Sequence, residues 1–279
     1  MVDQKTIVIV FAHPDDGVIF AGGSLAKWVA EGYKVFAISA TSGDLGTKDR
    51  QMTGKKLAKI REEELTKAME ILGGNPPIFL RFKDGFLSDN TIELKKQLVY
   101  WLRKLKPNRI ITFDPWRTYE IHPDHRIIGQ IASEAAVFAC FPLLYPEHLQ
   151  KGLEPHQPDE LWYMMIMEHK PNRLIDISQT LEKKINAVLC HQASIELLSD
   201  MFIPEVDPTN LTAEQMTQLK EGADSFLRMV SQAFASLSEG KVDLAEAFYA
   251  LKIGPGHFYN FQEMIQEIIG IDPDPPVIM

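Results

Sequence analysis

The chain has 279 residues, of which 45% are apolar, 9% aromatic and 24% charged, and its formal net charge is -9. These values exclude a disordered chain, a collagen-like repeat and a disulfide-stapled miniprotein; a chain this long buries roughly three quarters of its unfolded surface and needs no staples. The acidic balance argues against nucleic acid and against an anionic membrane surface as partners.

In chain order, the run Thr6-Ile7-Val8-Ile9-Val10-Phe11 reads as a buried parallel strand. A helix is predicted over 17–32, a strand over 34–41, and a charged amphipathic helix over 55–73 that stops at Gly73-Gly74. Residues 78–82 read as a third strand, 91–106 as a helix ending before Pro107, and 109–113 as a fourth strand. Four successive strand–helix units imply a parallel sheet with helices on both faces. Further along, a helix is expected at 123–140, a proline-rich stretch at 141–160, strands at 161–167 and 173–177, and one helix at 178–199. Two more helices are expected at 212–237 and 242–250, then an extended tail. The reading is therefore a single α/β domain over 1–279: a Rossmann-like, mostly parallel sheet with helices on both faces and a mainly helical C-terminal extension over 203–279.

Cys140 and Cys190 cannot build a disulfide framework and are expected as buried thiols of a reducing compartment. There is no run of about 18 apolar residues, and the chain enters its first strand without a cationic leader. The expectation is a cytoplasmic protein without a membrane partner.

Chemistry concentrates at two strand ends. The first strand runs into Ala12-His13-Pro14-Asp15-Asp16, and the fourth is followed by Phe113-Asp114-Pro115 and then His122-Pro123-Asp124-His125. In open parallel sheets, ligands bind beyond the carboxyl ends of the strands, so the two clusters should face each other there. An Asp15 or Asp16 helix cap beside a hydrogen-bonded histidine is the plainer explanation of the first cluster, but two adjacent acids are too many for one cap. His13, Asp16 and one histidine of the second cluster make three imidazole and carboxylate ligands, leaving a fourth position open, as in a catalytic zinc site. No GxSxG elbow and no GxGxxG or P-loop fingerprint is present.

AHPDD after the first strand and HPDH after the fourth resemble the PIG-L/LmbE family of zinc-dependent N-acetylglucosaminyl deacetylases. Thr41-Ser42-Gly43-Asp44-Leu45-Gly46, Arg61-Glu62-Glu63-Glu64 and Asp84-Gly85 look like that family's loop, Arg-x-x-Glu helix and Asp-Gly turn. The match is good over roughly 5–130 and loose beyond, where the chain is slightly more similar to the diacetylchitobiose deacetylase branch. The resemblance implies His13, Asp16 and His125 as ligands of one Zn2+ per chain. It further implies Asp15 as general base, His122 as a donor near the reacting amide, and Asp124 as an orienting residue behind a histidine. Arg61, Asp84 and the late His257, in Gly254-Pro255-Gly256-His257, are the implied substrate contacts. The expected reaction is removal of acetate from an N-acetylglucosamine-type sugar. Another metal-dependent amide or ester hydrolysis, or a non-catalytic sugar-binding module, is the alternative. A homo-oligomer is compatible with the sequence, and a neighbouring subunit would then be one way for His257 to reach a site. His191 reads as a core or helix-end histidine. Trp116 and Tyr119 are equally suited to stacking on a sugar ring and to packing within their loop.

Overall fold

The structure is a computed structural model that describes residues 4–166, 170–199, 202–203, 206–207, 209–254 and 277–279. Its centre is β1 (Thr6–Phe11), a β-branched run whose six residues are all buried. Around it lie β2 (Lys34–Thr41), β3 (Ile78–Phe82), β4 (Arg109–Phe113), β5 (Glu160–Met164), β6 (Arg173–Asp176), β7 (Ala245–Lys252) and β8 (Val277–Ile278) in the order β3-β2-β1-β4-β5-β7-β6-β8. β1 to β5 are mutually parallel, whereas β7 runs antiparallel to both β5 and β6. The chain steps outward from β1 to β3 and then returns to the other side of β1 as β4. That reversal opens a crevice at the carboxyl ends of β1 and β4, the place where such sheets bind ligands.

The helices are α1 (Asp16–Ala30), α2 (Gly54–Leu72), α3 (Thr91–Leu105), α4 (Pro123–Phe138), the short α5 (Glu147–Gln150), α6 (Leu181–Val188), α7 (Gln192–Leu197) and α8 (Ala213–Ser236). α1, α2 and α6 pack together, and α3 packs on α4; right-handed crossovers put these groups on opposite faces. The proline-rich stretch carries α5 and is pinned from beneath by the fully buried Arg103. Its guanidinium donates to the carbonyls of Ala139, Phe141, Leu144 and Tyr145.

Four expectations need correction. Residues 178–199 do not form one helix: the backbone leaves helical geometry between α6 and α7, where His191 caps α7 at φ -82° and ψ 61°. Residues 242–250, whose Ala, Glu and Leu content favours a helix, instead supply most of β7. After α8 the chain thus re-enters the sheet, because an open edge beside β5 gains more from a paired strand than the segment gains from its propensity. Cys140 and Cys190 are free but only half-buried. The β5 segment ends at Met164, earlier than expected.

β7 also fastens α1. The buried Glu246 carboxylate pairs with Lys184 Nζ at 2.7 Å and accepts from the backbone N–H groups of Gly23 (3.0 Å) and Ser24 (2.8 Å). Glu246→Ala strands a buried ammonium and two N–H groups. A loss of roughly 3–5 kcal/mol is expected, measurable as a lowered midpoint in denaturant unfolding; a midpoint within error of wild type would show that the pair does not hold the two elements together.

Candidate active site

The turn from β1 into α1 brings His13 and Asp16 together. The His13 backbone N–H donates to Asp16 Oδ2 at 2.7 Å, and His13 Nδ1 lies 3.3 Å from the same oxygen. Asp15 occupies the N-cap position of α1 but makes no capping bond, so the helix-cap explanation does not account for it. Across the crevice, His122 caps α4, with Pro123 opening the helix. His125, in the first turn, stacks on Phe113 at the end of β4 (4.2 Å between ring centres, 14° between planes). That stacking points Nε2 at Asp16 Oδ1, 3.4 Å away. The His122 ring lies 4.5 Å from the rings of both His13 and His125. The two strand-end clusters therefore meet.

The residues fit a metal ion. A tetrahedral zinc with bonds of about 2.0–2.1 Å has ligand–ligand edges of roughly 3.3–3.4 Å, and the two histidine nitrogens stand at these separations from Asp16 oxygens. Both ring nitrogens of His125 are buried without a hydrogen-bond partner, a state that costs about 1–3 kcal/mol unless something else binds them. His13, Asp16 and His125 could hold one ion; so could His13, Asp84 and His122, a second set sharing His13.

The electrostatics follow from burial and neighbours. Burial opposes a charged His13, but the carboxylates of Asp16, Asp124 and Asp84 around it outweigh that and hold the imidazole well above its ordinary value. Burial likewise works against ionised Asp16 and is overcome by His125 and His13, which hold the carboxyl far below the usual range. For Asp15 the Arg61 guanidinium overrides burial and keeps the carboxyl low. Burial, then His13 and His125, push His122 down.

Asp124, fully buried, accepts from the backbone of Gly85 (2.7 Å) and Leu87 (3.2 Å), and its Oδ2 stands 3.7 Å from His13 Nε2. It therefore backs a histidine. Asp84 does not reach outward to a ligand as expected: it lies 3.1 Å from His13 Nε2 and accepts from Leu45 N–H at 3.3 Å, because the Asp-Gly turn folds under the β2 loop. Arg61 is not a free substrate contact either. It is 3% exposed and donates to Asp15 Oδ1 at 2.8 Å, the Gly43 carbonyl at 3.2 Å and Ser194 Oγ at 3.2 Å. Gly43 (φ +65°) and Gly46 are required by this arrangement, since a Cβ at either would stand 2.3 or 2.5 Å from Arg61 Nη1. His257 lies outside the described residues. Trp116 and Tyr119 are exposed, with Trp116 edge-on to Tyr163.

Sequence reasoning missed Glu120, whose carboxylate accepts from His122 N–H at 2.9 Å and approaches His125 Nδ1 at 3.7 Å. Its position two residues before HPDH was the available signal. Ser194 was missed as well, and nothing local marks it.

Comparison with known proteins agrees with this geometry. The family model described as PIG-L, GlcNAc-PI de-N-acetylase, matches residues 8–136. A diacetylchitobiose deacetylase of Thermococcus kodakarensis is 37% identical over 191 residues, covering 68% of this chain and 70% of that protein. A 4-oxalmesaconate hydratase of Pseudomonas putida is 27% identical over 198 residues, covering 67% and 73%. Among solved structures, the N,N'-diacetylchitobiose deacetylase of Pyrococcus horikoshii, in complex with an inhibitor, superposes with a TM-score of 0.77 at 28% identity over 94% of this chain and 89% of that one. With the two histidine–aspartate clusters meeting at the sheet's switch point and relatives aligned across most of its length, the chain belongs to the PIG-L family.

Proposed function

We propose that this protein is a metal-dependent hydrolase that removes the N-acetyl group from a GlcNAc-type amino sugar or oligosaccharide, with diacetylchitobiose as the first substrate to test and zinc as its metal. The observation that carries the reading is the convergence of His13, Asp16 and His125 beside an uncapped Asp15. An N-acetyl amide is a weak electrophile with a poor leaving group. A divalent ion held by these three residues supplies Lewis acidity, polarising the carbonyl and lowering the pKa of a water. Asp15, held ionised by Arg61, takes the proton of the attacking water and returns it to the departing amine. His122, with Nδ1 unpartnered, donates to the oxygen that becomes negative in the tetrahedral intermediate. Asp84, hydrogen-bonded to the far nitrogen of His13, and the Asp124 carboxylate 3.7 Å from it fix the ring, the arrangement that metal-binding histidines generally need.

The test is acetate release by the zinc-loaded protein from GlcNAc, diacetylchitobiose and GlcNAc conjugates. Release from at least one, paired with equimolar free amine, supports the reading. A protein that binds one zinc per chain and releases acetate from none of them is a hydrolase of another amide or ester, a hydratase or a binding protein. Among the described residues no helix is long and apolar enough to cross a membrane.

A further inference from the structure

Behind Asp15 lies a polar cluster that the reaction as described leaves without a task. Arg61 and Ser194 are almost wholly inaccessible, and so are Glu64 and His191. Burying an arginine with carboxylates gains little stability over apolar packing, so a role in holding the core together explains the cluster poorly. Its connectivity runs in one direction. Glu64 Oε1 accepts the backbone N–H of Ala193 at 3.0 Å and so satisfies one of the open N–H groups of the first turn of α7. This tie explains why the chain starts a new helix after His191, where no glycine or proline breaks the old one. The restart delivers Ser194, whose hydroxyl accepts from the same Arg61 Nη2 that donates to Asp15 Oδ1. The glycines at 43 and 46 close the other side of the guanidinium. Burial and the Arg61 charge depress His191 to about 4 against the pull of Asp15, so it stays neutral and does not compete with Arg61 for the carboxylate.

We propose that α7, a helix of the C-terminal half, is a positioning element of the catalytic centre: Ser194, with Glu64 anchoring its helix, fixes Arg61 and through it the Asp15 carboxylate. This rests on Asp15 being the general base. The experiment compares Ser194→Ala with wild type in four ways. In crystal structures of both proteins, the Asp15 carboxylate of the variant is displaced or its pairing with Arg61 lost. On diacetylchitobiose, kcat falls about tenfold while KM stays within about twofold and metal content is unchanged. Ser194→Thr, which keeps the hydroxyl, recovers most of that loss. In an Arg61→Ala background, Ser194→Ala lowers kcat by less than about twofold further, because the residue acts through Arg61. An unmoved Asp15–Arg61 pair in the variant crystal overturns the proposal, as does an equal loss in both backgrounds or a rise in KM in place of the fall in kcat. Absence of acetate release by the wild type overturns the functional reading instead, and the crystal comparison then decides the positioning role by itself.

Discussion

Asp15→Asn is expected to lower kcat for acetate release by about 10²- to 10⁴-fold, the range a positioned general base contributes, while the protein keeps its metal. The amide is isosteric with the carboxylate, and its oxygen still accepts from Arg61 Nη2, so the 2.8 Å contact survives without the charge. What the variant loses is the ability to accept a proton. Metal retention follows because Asp15 belongs to neither candidate ligand set: the proposed ligand atoms are those of His13, Asp16 and His125. Turnover, metal content by atomic absorption and a thermal melt would be measured on one preparation. A melt close to wild type ties the loss to chemistry rather than to an Arg61 left buried without its counter-ion. A variant within tenfold of wild type would mean that the water is deprotonated elsewhere, with Glu120, close to His122 and His125, as the next residue to change.

The parts of this molecule governed by local pattern were legible in its sequence. β1 and β4 are short, fully buried strands rich in β-branched residues, and their partners follow from short connections and right-handed crossovers. His13, Asp15 and Asp16 lie within four residues, and His122 to His125 within four more, so both clusters could be read and their meeting inferred from the sheet rule. Decisions made by distant residues were not legible. The segment Ala245–Lys252 has the composition of a helix, and only the vacancy between β5 and β6 makes it a strand. The break before α7 is set by Glu64, 129 residues earlier in the chain, so no local signal marks it. Arg61 and Asp84 were recognised as important, but their direction depends on which loops fold over them. Gly43, Gly46 and Leu45 close over these side chains and turn them onto Asp15 and His13, whereas sequence reasoning aimed them at a substrate.

The choice between the two overlapping ligand sets yields the second large effect. His13 belongs to both, so its loss decides nothing. His125→Ala removes a ligand of the first set and should abolish stoichiometric metal binding and turnover together, because two remaining donors do not hold a zinc centre built on three. Asp84→Asn alters the second set. If Asp84 only orients His13 through the 3.1 Å contact at Nε2, its removal weakens metal affinity by about 10- to 100-fold, as losing such outer partners does, and excess zinc restores activity. The structure favours this outcome. Asp84 Oδ2 is already taken by the Leu45 N–H, and Asp84 Oδ1 faces the same His13 nitrogen that Asp124 approaches. His125, by contrast, has neither nitrogen hydrogen-bonded. Zinc titrations of His125→Ala, Asp84→Asn and His122→Ala by calorimetry separate the cases. Retained binding in His125→Ala with none in Asp84→Asn or His122→Ala would move the metal to the second set and turn His125 into the group that faces the substrate. Loss confined to His125→Ala, with His122→Ala still loaded but slow by about 10²–10³-fold, leaves His122 as the donor to the developing oxyanion.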